Sequence, residues 1–154
     1  MVSTDCQICQ RQNSDGSNQA VVFESANWIA RHSQETNILG YLLLESRRHF
    51  LDLSEADEHE CGSFGRILKE LVGAVRQTVE AERVYTITLA EMVPHFHVHI
   101  IPRTASTPRA FRGRGILNYP LQPGADSALV ENVCLSLKRR LYSLESVRRL
   151  RPFG

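Results

Sequence analysis

The sequence predicts an α+β domain built on a mainly antiparallel sheet of about five strands. Three observations lead there. Short apolar, β-branched runs gather early in the chain and again after its midpoint. A long segment between them repeats apolar residues at gaps of three and four. A second segment with the same period follows near the C-terminus.

The elements can be taken in order. The polar stretch from Gln10 to Gln19 contains Gly16 and reads as a loop. Ala20 to Glu24 is short and apolar and reads as a first strand, turned by Ser25-Ala26-Asn27. Trp28 to His32 is the returning strand. Leu39 to Leu44 is a third, too continuously apolar for a sheet edge. A helix is expected from Ser54, with Ser54 as its cap and Asp57 in its first turn. Cys61, Phe64, Leu68, Leu71, Val72, Val75 and Val79 mark its apolar face. Val84 to Leu89 and His95 to Ile101 are two further strands, separated by a connection that ends at Pro94. Residues 102–124 lack periodicity and read as loop. Asp126 caps a final helix with Leu129, Val133, Leu137, Leu141 and Leu144 on its apolar side. The whole is one domain, 1–154: a cysteine-pair segment and loop (1–19), a core (20–103), and a loop with the C-terminal helix (104–154).

Bulk properties narrow the function. The chain has 154 residues, 42% hydrophobic and 23% charged, as in ordinary globular proteins. A formal net charge of +1 gives no general attraction to nucleic acid or acidic membranes, so no specific nucleic-acid partner is evident. Lys138, Arg139, Arg140, Arg148, Arg149 and Arg151 form a basic cluster that reads as a solvated helix face and tail. No apolar run is long enough to span a bilayer, and the polar start Met1-Val2-Ser3-Thr4-Asp5 lacks a signal-peptide core. A cytoplasmic protein is expected. There the Cys6-x-x-Cys9 pair points to metal or redox chemistry rather than a structural disulfide.

The informative segment is His95-Phe96-His97-Val98-His99-Ile100-Ile101. Alternate side chains of a strand face opposite ways, so the three imidazoles share one face. Phe96, Val98 and Ile100 face the core. Half of the chain's six histidines lie in this one strand, which sets them apart from single, satisfied core histidines. Two chemistries remain open: metal ligation by all three, or nucleophilic and acid–base work on a phosphoryl group.

This segment, followed by Pro102-Arg103, resembles the signature of the histidine-triad family. The resemblance runs from Cys6 to Arg103 and includes the order of strands and helix. It implies that His97, the middle histidine, attacks the α-phosphorus of a nucleotide. A nucleotidyl-histidine forms, and water releases the monophosphate. The carbonyl of the first triad histidine fixes the tautomer of His97, and His99 hydrogen-bonds the phosphate or leaving group. Asn27 lies where family members contact the ribose hydroxyls, although a plain turn residue is the alternative there. Glu91 joins Asn27 and His99 as a nucleotide-contacting candidate. The stretch Ala90-Glu91-Met92-Val93-Pro94 replaces a polar Gly-Gln-Ser stretch of well-known members, removing a hydroxyl and adding a negative charge. Tyr41 follows Gly40 where many relatives have histidine. Arg103 and Arg112 are basic loop residues within reach of phosphates or simply solvated.

The resemblance also implies a structural zinc held by Cys6, Cys9, His49 and His95, tying the N-terminus to the catalytic strand. Ordinary cysteines in the N-terminal segment are the alternative. The implied substrates are dinucleoside polyphosphates or nucleoside phosphoramidates, adenine-containing, and the implied assembly is a homodimer. A zinc-stabilised nucleotide-binding module with little activity is the competing function, and a metallohydrolase the third.

Overall fold

The computed structural model describes residues 5–14, 20–120, 122 and 126–144. Residues 15–19 of the expected first loop lie outside these, as do Arg148, Arg149 and Arg151 of the basic cluster. Five strands form one sheet: β1 (Val21–Glu24), β2 (Trp28–His32), β3 (Leu42–Ser46), β4 (Arg83–Ile87) and β5 (His97–Arg103). Their order across the sheet is β1-β2-β3-β5-β4, and every neighbouring pair is antiparallel. The helices are α1 (Gln7–Asn13), α2 (Glu58–Thr78) and α3 (Ser127–Ser143).

The two faces of the sheet do different jobs. Trp28, Ala30, Leu42, Leu44, Phe96, Val98 and Ile100 belong to the main core. Helices α2 and α3 cover that side through buried Ile67, Leu71, Ala74, Val75, Leu137 and Leu141. On the opposite face, cross-strand neighbours share a side. Arg31 pairs with Leu43, Leu43 with His99, and His99 with Ile87. In the next row Ile29 pairs with Glu45, and Glu45 with His97. The functional face is thus set by strand register alone.

Several sequence expectations need correction. The stretch expected as loop from Gln10 begins inside α1. This helix is too short and polar to show a periodic face, and seven residues alone are marginal in water. The third strand runs two residues past Leu44, because Glu45 and Ser46, though polar, are fully buried. Asp57, not Ser54, caps the long helix: its side chain accepts from the Glu60 amide, and Glu60 answers to the Asp57 amide. Ser54 lies in a separate 3-10 turn capped by Asp52. Cys61 and Leu129 are solvent-exposed rather than core-facing. Strand β5 starts at His97, so His95 precedes it, and it extends through Pro102 and Arg103, residues that open the expected loop. The Asp126 cap of α3 is present, its carboxylate accepting from the Ala128 amide at 2.9 Å. Lys138, Arg139 and Arg140 lie on α3, where Arg139 and Arg140 are exposed and Arg140 bonds Gln77. Among the described residues no helix is long and apolar enough to cross a membrane.

Candidate active site and metal centre

The register of β5 delivers His97 and His99 to one cavity of about 730 Å³ on the open face of the sheet. Residues of α1, of β2 and its exit, and of the 89–93 connection line it, Glu91 among them. His97 is nearly buried and His99 half-buried.

The hydrogen bonds around these rings are directional. The carbonyl of His95 accepts from Nδ1 of His97 at 2.7 Å. A carbonyl can only accept, so Nδ1 of His97 carries a proton, and in the neutral ring its Nε2 holds a lone pair. Nε2 of His99 lies 3.1 Å from that lone pair and must be the donor. Nδ1 of neutral His99 is then an acceptor, and the Tyr41 hydroxyl donates to it at 2.7 Å. Burial, then the neighbouring His97, push the His99 imidazole down to about 4. Burial, then Glu35, push the Tyr41 phenol up to about 12. Both groups are therefore neutral at physiological pH.

Beside His97 lies an ion cluster that the sequence reading did not find. Glu45, fully buried, pairs with His97 across the β3–β5 ladder. Its carboxylate takes Arg11 and Gln12 from α1 and Arg31 from β2, with Arg31 Nε at 3.3 Å. Arg31 and Arg11 both line the cavity. Desolvation is the main influence on Arg31 and lowers its affinity for a proton, while Glu45 opposes this. Period-two alternation along β2 was the available signal for Arg31.

Asn27 sits elsewhere, in the β1–β2 turn, where its carbonyl accepts from the Arg47 amide at 2.8 Å. It is not among the residues lining the cavity. Arg103 pairs with Glu82, and Arg112 donates to the carbonyls of Thr107 and Ala105.

Behind the cavity, Cys6, Cys9, His49 and His95 come together, all donor atoms within 4.8 Å of one another. Nδ1 of His95 lies 3.4 Å from Cys6 Sγ, 3.5 Å from Cys9 Sγ and 3.3 Å from Nδ1 of His49. Nδ1 of His49 lies 3.5 Å from Cys9 Sγ. Nε2 of His95 donates to the Ser46 carbonyl at 2.7 Å, which leaves the Nδ1 lone pair facing the sulfurs. A ligating histidine tied through its second nitrogen to a carbonyl is the usual arrangement at metal centres. The four residues form a group that could hold one metal ion.

Comparison with known proteins agrees with this architecture. A Hit-like protein involved in cell-cycle regulation from Bartonella henselae shares the fold at TM-score 0.67 and 18% identity, over 92% of this chain and 100% of that one. A Zn-bound histidine triad family protein from Mycobacterium smegmatis gives TM-score 0.67 and 18% identity, over 92% and 96%. Plasmodium falciparum diadenosine triphosphate hydrolase gives TM-score 0.62 and 13% identity, over 82% and 78%. No curated protein matches the chain by sequence. The model of the HIT domain matches residues 15–106, a span that holds all five strands and α2, and the chain belongs to the HIT-domain, or histidine-triad, family.

Proposed function

We propose that this protein is a nucleotide hydrolase or nucleotidyl transferase that attacks an α-phosphate with Nε2 of His97. The supporting observation is the bond from His97 Nδ1 to the His95 carbonyl, which selects the tautomer of the neutral ring whose Nε2 is free at the cavity. The Nε2 lone pair forms a bond to phosphorus, and the leaving group departs with the electron pair of its own bond. Water then attacks the phosphorus, the electron pair of the P–N bond returns to Nε2, and the proton that water gives up passes to solvent. The N–H of His99, resting on His97, transfers its hydrogen bond to the phosphate as charge develops. Dinucleoside polyphosphates and nucleoside phosphoramidates are the substrate classes, with Glu91, on the cavity wall, as a further nucleotide contact to be tested, while Asn27 lies outside that cavity. A diadenosine triphosphate hydrolase among the structures of the same fold is in keeping with the first class.

The metal is zinc, in a structural role. At Zn–S distances of about 2.3 Å and Zn–N of about 2.0–2.1 Å, a tetrahedron has edges of roughly 3.3 to 3.8 Å. Four of the six donor separations, 3.3, 3.4, 3.5 and 3.5 Å, fall in this range. A reducing cytoplasm would keep Cys6 and Cys9 available as ligands. A homodimer, suggested by the resemblance, is checked by light scattering.

The decisive experiment incubates the protein with dinucleoside polyphosphates and phosphoramidates, with and without His97→Ala. Release of monophosphate and a quenchable nucleotidyl adduct are expected, both lost in His97→Ala. Full turnover by His97→Ala removes the nucleophile assignment. Tight nucleotide binding with neither turnover nor adduct replaces the enzyme with a zinc-stabilised binding module, the reading favoured by the Glu91 carboxylate at the cavity.

A further inference from the structure

We propose that Tyr41 is a positioning residue that holds His99 as an Nε2–H donor, and that this suits the site to leaving groups departing as phosphate anions rather than as amines. The inference rests on the hydrolase reading above.

Tyr41 is placed with little freedom. It follows Gly40, whose φ of +83° turns the chain into β3. Its ring is buried and packs edge-on to His99, with centroids 5.9 Å apart at 66°. The hydroxyl meets Nδ1 at 2.7 Å. With Nε2 of His99 donating to His97 at 3.1 Å, Nδ1 of the neutral ring is the acceptor, and the phenol proton of Tyr41 is the one that meets it. With the phenol high at about 12 and the imidazole low at about 4, the pair keeps this form across the neutral range.

The consequence lies in what His99 cannot do. It offers one hydrogen bond and has no surplus proton. A polyphosphate leaving group takes the electron pair of the broken P–O bond and departs as a stable anion, for which a hydrogen bond is enough. An amine must gain a proton as the P–N bond breaks. If His99 supplied it, Nδ1 would have to take the proton of Tyr41 in return, leaving a buried phenolate. The other groups on the cavity wall offer no better donor. His32 donates through Nδ1 to the Ser33 carbonyl and accepts the Gly40 amide on Nε2. Arg11 and Arg31 are bound to Glu45. Glu35 and Glu91 are exposed to solvent.

The test is Tyr41→Phe, which keeps the ring and removes the hydroxyl. Long-range nitrogen–proton NMR on histidine-labelled protein reads the His99 tautomer. Turnover of a diadenosine polyphosphate and of an adenosine alkylphosphoramidate reads the leaving group. In the parent protein His99 is expected as the Nε2–H form alone, and the anhydride is turned over far faster than the amidate. In Tyr41→Phe both tautomers appear and anhydride kcat falls about tenfold, a barrier change of about 1.4 kcal/mol. A parent His99 protonated on Nδ1, or a tautomer unchanged in Tyr41→Phe, overturns the positioning role. Equal turnover of amidate and anhydride by the parent overturns the leaving-group preference. If neither substrate reacts and no adduct forms, the hydrolase reading falls and the preference with it, while the NMR result still decides the role of Tyr41.

Discussion

His95 orients His97 with its backbone and faces the cysteines with its ring: its carbonyl accepts from His97 Nδ1 at 2.7 Å, and its own Nδ1 stands 3.4 Å from Cys6 Sγ. One residue therefore links the candidate metal site to the proposed nucleophile. Whatever fixes the His95 ring also limits the motion of the carbonyl that selects the His97 tautomer. The same centre anchors α1, since Cys6 caps that helix and Cys9 lies within it.

Zinc is accordingly expected at one ion per chain in protein purified without chelator. Cys6→Ser lowers both the zinc content and the thermal midpoint. A strong chelator lowers the midpoint of the parent but hardly moves that of the variant, because binding energy at such sites is folding energy. Sub-stoichiometric zinc that Cys6→Ser leaves unchanged sinks the assignment.

Glu45→Ala is expected to be among the most damaging single changes near the site. The carboxylate is fully buried, and the Arg31 side chain it serves is only 5% exposed. Removing it takes the carboxylate from a buried guanidinium, at a cost of about 3–5 kcal/mol. Arg11→Ala costs about 1 kcal/mol or less, because the Arg11 side chain is 40% exposed and Arg31 and Gln12 still hold Glu45. Urea unfolding of both variants at pH 7 gives the comparison. Equal losses mean that the cluster is an ordinary surface pair.

These residues also mark where the sequence was readable. His95, His97 and His99 announce themselves by single-residue gaps, and Cys6 and Cys9 by their Cys-x-x-Cys spacing; His49, and His95 as a ligand, were implied only by the family resemblance. The long helix follows from its period, and the strands follow from short apolar, β-branched runs. Glu45 was hidden because the apolar run ends at Leu44, and a charged residue there reads as the end of a strand. Its burial depends on Arg11 and Arg31, which come from elements remote in sequence. Helix α1 was hidden because its stability is tertiary, through Cys6, Cys9 and the Glu45 contacts. Tyr41 was visible as a departure from the family pattern, but its bond to His99 required the β3–β5 register.

Gly40→Ala tests the turn that delivers Tyr41. A Cβ at this position would lie 2.9 Å from Val79 Cγ1, and the backbone φ of +83° is one that L residues rarely adopt. Both penalties act together, and a loss of about 2 kcal/mol or more is expected. The Gly40 amide also donates to His32 Nε2 at 2.9 Å, so the perturbation reaches a second buried imidazole. Thermal unfolding decides the matter. A midpoint within a degree of the parent's would show that the turn relaxes freely.

Acid should destabilise the fold through His99 before carboxylates are titrated extensively. In the unfolded chain His99 titrates near its ordinary 6.5, and in the fold near 4. Above pH 6.5 both states are neutral there, and below pH 4 both are protonated. Between these limits the unfolded chain binds a proton that the folded chain refuses. Stability therefore rises with pH across the window and is lost as pH falls from 6.5 towards 4. The full contribution is on the order of 3 kcal/mol. Burial also lowers His32 and His95, so their effects have the same sign. His99→Asn isolates the His99 share, because it retains a polar side chain without the titration. Urea midpoints at pH 4.5 and pH 7.5 should differ less in His99→Asn than in the parent. An identical difference in the two proteins would mean that His99 gains its proton in the folded state as easily as in the unfolded one, and the neutral donor assigned to it at low pH would have to be abandoned.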